Sequence, residues 1–103
     1  RMELVSKKSL RNNEERIVEI NDYPIDVVIS ENMLLVENND VPGVIGNVGR
    51  ILGEEQVNIA TMHVGRKENS AIMLLTVDDV VEEKSIKKLE EFEQIRKVKY
   101  LNL

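Results

Sequence analysis

The stretch that most constrains the fold runs from Met33-Leu34-Leu35-Val36 through Asn38-Asn39-Asp40-Val41-Pro42-Gly43 into Val44-Ile45-Gly46-Asn47-Val48-Gly49. A continuous apolar run of strand length bounded by polar residues reads as a buried strand. Pro42 has its φ pre-set for a first helical turn and lacks an N–H that would have no partner there. A helix is therefore expected to begin at about Pro42, with Asp40 upstream as a potential cap. Val44, Val48, Ile51 and Leu52 recur at helical spacing, and Ile45 broadens the stripe, so one helix face is expected to pack on a sheet. Gly46 and Gly49 share another face and lower helix propensity, which predicts close approach of a neighbouring backbone. Gly53, followed by Glu54-Glu55-Gln56, marks the helix end.

The remainder extends this strand-to-helix unit. Val57, Ile59, Met62 and Val64 outline a strand over 57–65 whose alternation breaks at Ala60-Thr61, as a bulge would cause. Arg66-Lys67-Glu68-Asn69-Ser70 is a short charged turn, and Ala71-Ile72-Met73-Leu74-Leu75-Thr76-Val77 returns as an apolar strand. Asp78-Asp79 is expected to open a second helix through Glu82, with Ile86, Leu89 and Phe92 as its stripe. A last strand over 95–101 places Val98 and Tyr100 on one face and Lys97 and Lys99 on the other. From Met33 the order is β-α-β-β-α-β, which specifies an α+β, ferredoxin-like sandwich: an antiparallel four-stranded sheet with two helices on one face. The other face meets the N-terminal hairpin, another subunit, or solvent if its residues are polar enough, and the apolar strands argue for partial cover.

Upstream, residues 1–16 carry Lys7, Lys8, Arg11 and Arg16 around Asn12-Asn13-Glu14-Glu15 and read as an arm or linker. Ile17, Val18 and Ile20, then Ile25, Val27, Val28 and Ile29, flank the turn signal Asn21-Asp22-Tyr23-Pro24 and predict a hairpin. An isolated hairpin has too little apolar surface to be stable, so it must lean on something else. The expected division is thus an N-terminal arm and hairpin over 1–30 and a sandwich domain over 31–103.

Composition narrows function mainly by exclusion. The net charge of −5 and three aromatic residues lack the basic footprint and stacking platform of nucleic-acid binders. No run reaches the ~18 apolar residues that suggest a membrane span, and no signal-peptide pattern is visible, so the expected setting is cytoplasmic. Without cysteine, and with His63 as the sole histidine, there is no thiol chemistry and no zinc-type ligand cluster. Gly43, Gly46 and Gly49 match neither a dinucleotide fingerprint nor a phosphate loop. No nucleophile with a base, paired acid and base, or metal triad can be assembled, so no catalytic residue is assigned.

The candidate binding residues cluster at the strand-to-helix turn. The first N–H groups of a helix are unpaired and carry the positive end of its dipole. They can receive a carboxylate, Gly43 allows close approach, and Asp40 can face an ammonium group. An ordinary capped helix start explains the same residues. Asn58 can donate and accept to a ligand, or close the helix-to-strand loop on its own backbone. His63 reads as a packed or interfacial histidine, and the Gly65-Arg66-Lys67-Glu68 corner as solvated charge.

Four segments together resemble a known family: Asn39-Asp40-Val41-Pro42-Gly43-Val44-Ile45-Gly46, Val57-Asn58-Ile59-Ala60, Met62-His63-Val64-Gly65-Arg66-Lys67-Glu68 and Met73-Leu74-Leu75-Thr76-Val77-Asp78. They are similar to ACT domains, in particular those of D-3-phosphoglycerate dehydrogenases, over about residues 33–103. Arg16-Ile17-Val18-Glu19-Ile20-Asn21-Asp22-Tyr23 and Asp26-Val27-Val28 resemble the end of the allosteric substrate-binding domain that precedes ACT in the longer form of those enzymes. The resemblance implies a C-terminal regulatory fragment, not an enzyme by itself, with NAD bound by catalytic domains upstream and no cofactor in this chain. It also implies homodimers through ACT–ACT sheet pairing and L-serine as feedback inhibitor at the interface.

Carried over by position, Asn38 and Asp40 are the polar contacts before the Pro-Gly turn. The N–H groups near Gly43 and Val44 hold the carboxylate, while Asn58, with Ile59 beside it, reaches across from the second subunit. Three positions depart from the family: Asn38 stands where His or Tyr is common, and Asn69-Ser70 replaces the usual Gly-Gly of the hairpin. The same domain pair occurs in the β subunit of iron-sulfur L-serine dehydratase, and a purely structural dimerisation module is the remaining alternative.

Overall fold

The computed structural model describes residues 4–8 and 15–102. Its elements in chain order are β1 (Leu4–Lys8), β2 (Glu15–Ile20), β3 (Tyr23–Val28), β4 (Asn32–Asn39), α1 (Val44–Glu54), β5 (Ile59–Lys67), β6 (Ser70–Val77), α2 (Glu83–Glu90) and β7 (Ile95–Asn102). Elements β4 to β7 with the two helices form the ferredoxin-like α+β sandwich, its sheet ordered β5-β6-β4-β7 and antiparallel throughout. The three N-terminal strands form a second antiparallel sheet ordered β1-β2-β3.

Strand β4 shows why the apolar run is continuous rather than alternating. Leu34 and Val36 face the helices with Met73, Leu75, Val48, Leu52 and Leu89, whereas Met33 and Leu35 face the N-terminal sheet with Ile17, Ile20, Ile25 and Val27. Both faces are covered, so both sets of side chains are apolar. In β3 only one face meets the core: Tyr23, Ile25 and Val27 are buried and the residues between them are exposed. The expected hairpin is present, turning at Asn21 and Asp22 with φ of 48° and 70°. Asn and Asp tolerate that left-handed geometry better than other non-glycine residues.

Residues 1–16 are not wholly an arm. Residues 4–8 form β1, paired from Leu4↔Ile20 to Lys8↔Glu15 with a register shift between Val5 and Ser6. The open edge of β2 presents unpaired backbone groups that a short segment can satisfy without an apolar pattern of its own. Residues 1–3 and 9–14 lie outside the described residues.

Both helices start later than expected. Helix α1 begins at Val44 after Gly43 as N-cap, whose φ of 89° a side chain would strain, and no side chain caps it. Asp40 is instead turned toward Arg66. Val44, Val48, Ile51 and Leu52 are the buried stripe as expected, but Ile45 is 43% exposed. Among the described residues nothing outside the helix lies within 4 Å of a Cβ built on Gly46 or Gly49, so none of their backbone approaches there. The helix end is a Schellman arrangement in which Gln56, with φ of 61°, takes the left-handed position expected of a glycine. Its N–H reaches Gly53 O at 3.1 Å, and Val57 N–H reaches Leu52 O at 2.9 Å.

Asp78 does not open α2, because its N–H is held by Asn58 O at 3.2 Å, which ties it to the start of β5. Glu82 is the N-cap, and buried Val81 joins the core cluster that Ile86, Leu89 and Phe92 pack into, with the spacing of a hydrophobic staple to Ile86. The bulge expected at Ala60-Thr61 is present as a register shift between Ile59 and Thr61. Val98 and Tyr100 pack toward the helices, while Lys97 and Lys99 lie on the opposite face with Leu35 and Glu37.

The close backbone approach in this fold is at Gly65. A Cβ there would sit 2.5 Å from Pro24 O, so β3 crosses β5 where only hydrogen fits. Gly65→Ala is therefore expected to cost about 1–3 kcal/mol, the usual range for overpacking. Thermal denaturation should show a fall of at least about 4 °C. Gly53→Ala, in open space inside α1, should instead raise the midpoint by reducing the freedom of the unfolded chain, worth about 0.4–1 kcal/mol. Equal effects at the two glycines would contradict the packing described.

Candidate functional site

The turn between β4 and α1 forms one wall of a recess of about 300 Å³. Asn38, Asp40, Gly43 and Val44 line it together with Val41, Pro42 and Ile45, and Val64, Ala71 and Met73 supply apolar wall from β5 and β6. Four of the expected residues are thus brought together. Arg66, read from the sequence as solvated charge, also lines the recess, and its Nε donates to Asp40 Oδ1 at 3.3 Å. Its charge signal was visible, but only the β5–β6 register places it opposite Asp40.

Backbone and amide contacts hold this wall. Asp40 N–H donates to Asn69 O at 2.9 Å, and Asn39 N–H donates to Gln94 O at 2.9 Å. The Asn39 side chain donates from Nδ2 to Gln94 Oε1 at 2.8 Å and accepts from Arg96 Nε at 2.6 Å. Asn39 is thus clamped to the start of β7, a structural role its sequence context did not reveal.

Asn38 is 3% exposed, and its Nδ2 donates to Asn39 O at 2.8 Å. With the amide fixed in that sense, Oδ1 is left as a buried acceptor without a partner among the described residues. Such an acceptor is costly unless something donates to it. At the helix end of the same turn, the N–H groups of Val44 and Ile45 precede the first helical bond, from Asn47 N–H to Gly43 O at 3.0 Å, and have no helical carbonyl partner.

Asn58 and Ile59 are not in this recess. Ile59 packs into the core on the helix side, and Asn58 donates from Nδ2 to Asp78 Oδ2. Asn58 lines a separate recess of about 400 Å³ between the end of α1 and the start of α2, with Glu54, Glu55, Asp79, Glu82 and Lys84. That recess is larger but strongly acidic, which disfavours a carboxylate ligand, and no group of metal-binding residues occurs among the described residues. The smaller recess combines an anion, a cation, the start of a helix and an apolar wall. It is the better match to a small zwitterion.

Within one chain, Asn58 and Arg66 stand near opposite ends of the nine-residue β5. His63 lies between them, opposite Leu74, with Nδ1 buried and without a partner among the described residues. No helix of the described residues is long and apolar enough to cross a membrane.

The fold is a ferredoxin-like α+β sandwich with a candidate recess at its first strand-to-helix turn. The chain belongs to the ACT domain family, whose sequence model matches residues 32–94, from the first residue of β4 to the residue before β7. It is similar to D-3-phosphoglycerate dehydrogenase of Bacillus subtilis, 47% identical over 91 residues covering 86% of this chain and 17% of the relative. It is also similar to D-3-phosphoglycerate dehydrogenases of Synechocystis, 46% identical over 72 residues covering 68% of this chain and 13% of the relative, and of Methanocaldococcus jannaschii, 37% identical over 94 residues covering 89% and 18%. The chain spans less than a fifth of the length of each of these curated relatives.

Asn39, which holds the recess wall, and Asn58, which lines the separate acidic recess, should differ in weight. Asn39→Ala removes two side-chain bonds from a partly buried clamp and is expected to cost about 1–3 kcal/mol. Asn58→Ala loses one exposed bond to Asp78 and should cost less than about 1 kcal/mol. Urea denaturation of the two variants would measure the difference.

Proposed function

We propose that this chain is the amino-acid-binding regulatory part of a D-3-phosphoglycerate dehydrogenase, with L-serine as its feedback effector. The observation that carries the reading is the convergence, in one recess, of Asp40, Asn38 and the start of α1 over an apolar wall. In the proposed pose the ligand ammonium meets Asp40 and its carboxylate meets the N–H groups near Gly43 and Val44. Asn38 adds a polar residue to the same wall. NAD and catalysis are assigned to other parts of a longer cytoplasmic protein, and residues 1–30 to the end of a preceding domain.

The same reading makes the site a property of a homodimer. Strand β5 is a sheet edge, and Val41 and Ile45 beside the recess are each 43% exposed. Antiparallel pairing of β5 with its copy would set the start of one strand beside the end of the other. Asn58 and Ile59 of a second subunit would then approach the Asp40 recess that they do not reach within their own chain.

Isothermal titration with L-serine, using glycine and alanine as controls, tests the ligand. Binding is expected for serine, with the controls weaker. Asp40→Ala should weaken it roughly 10- to 100-fold, the cost of losing a charge-assisted bond, and Asn58→Ala should weaken it while leaving the monomer folded. No heat and no thermal shift at millimolar serine would rule the effector reading out, whereas normal binding by both variants would place the site elsewhere.

A further inference from the structure

The turn joining β5 to β6 touches the candidate site on one side and the N-terminal sheet on the other. On the site side, Asn69 O accepts the Asp40 N–H at 2.9 Å, and Arg66, on the incoming strand, reaches the Asp40 carboxylate at 3.3 Å. On the opposite side, Tyr23 OH donates to Ser70 Oγ at 2.8 Å, and Ser70 Oγ donates to Lys67 O at 3.2 Å, which closes the base of the turn. One residue before Arg66, Gly65 lies so near Pro24 O that a Cβ would stand only 2.5 Å away. Tyr23 itself is 7% exposed and belongs to the core between the two sheets.

We propose that Tyr23 is a positioning residue for Asp40: the N-terminal sheet, through Tyr23 and Ser70, sets where the β5–β6 turn stands, and that turn sets the Asp40 backbone. The turn offers little slack. Only Glu68 and Asn69 lie between the paired strands, Glu68 is held at φ of 56°, and the last pair is Lys67↔Ser70. A displacement of β3 therefore moves the carbonyl that holds Asp40. By linkage, a ligand that prefers one position of Asp40 biases the N-terminal sheet to the same extent. The N-terminal strands are then part of the binding apparatus rather than a passive cover for Met33, Leu35, Ile72 and Leu74.

Amide hydrogen exchange in the 103-residue chain tests this without any ligand. Tyr23→Phe keeps the ring and deletes the hydroxyl; Ile17→Val weakens the same sheet without touching the turn. Tyr23→Phe and Ser70→Ala are each expected to speed exchange of the Asp40 amide about two- to tenfold relative to the core Leu75 amide, the span of one hydrogen bond's net contribution. Ile17→Val should change both amides alike. If Tyr23→Phe moves Asp40 no more than Leu75, or Ile17→Val moves Asp40 selectively, the proposal is overturned.

The ligand arm rests on the effector reading. Tyr23→Phe should weaken L-serine binding by a factor in the same range, with Ile17→Val unchanged, and unaltered binding by Tyr23→Phe would count against a positioning role. If the unsubstituted chain takes up no amino acid, the effector reading fails, and the exchange result still decides the role of Tyr23.

Discussion

The structure depends on β4 being buried from both sides. Leu34 and Val36 are fully covered on the helix face, and Met33 and Leu35 are covered by the N-terminal sheet at 0% and 6% exposure. Burying each such side chain is worth about 1.5–3 kcal/mol as an upper estimate, so these four alone offer roughly 6–12 kcal/mol. That is comparable to the entire net stability of an ordinary domain, about 5–15 kcal/mol. Neither outer layer is therefore an ornament. Removing either would return half of this strand, and its neighbours on β6, to water.

The same constraint explains which parts of the architecture were legible from the residues. Met33-Leu34-Leu35-Val36 announced a strand, and Val44, Val48, Ile51 and Leu52 announced a helix face, because burial leaves a trace in the apolar pattern. Pairing leaves less. Strand β1 has no pattern of its own; it exists because the edge of β2 is open. Helix starts were misplaced by a few residues because Asp40 and Asp78, both good cap types, are engaged by Arg66 and Asn58 across the sheet. At the end of α1 the Schellman contacts of Val57 and Gln56 hold a glutamine in the left-handed position where a glycine is the local favourite. Gly46 and Gly49 suggested a close neighbour, but the crossing is at Gly65, because β3 lies over the strand and not over the helix.

The candidate site was legible in its first half. Asn38, Asp40, Gly43 and Val44 are contiguous in sequence, so one turn brings them to one recess. Arg66 joins them only through the register that pairs Arg66 with Ala71 and Asn38 with Ala71 across β6. Asn58 belongs elsewhere within one chain, and no local pattern could have said so. The ends of one strand are about 3.3 Å per residue apart, which separates Asn58 from Arg66 by well over 20 Å.

The charged pair at the recess mouth also bears on how the site can work. Asp40 and Arg66 have 31% and 63% of their side chains exposed, and an ion pair in that setting contributes about 0–1 kcal/mol. It is too weak to fix the turn, and weak enough for a ligand to open at small cost. The turn is fixed instead by main-chain bonds from Asp40 to Asn69 and from Asn39 to Gln94, and by the Asn39 side-chain clamp. A ligand therefore meets a weakly held pair of charges on a backbone whose position its neighbours set. Any preference it has between two subunit arrangements must come from groups whose positions differ between them, because equal contacts in both would shift neither. On the proposed reading those groups are Asn58 and Ile59 of the second copy, which reach the recess only when the β5 edges are paired.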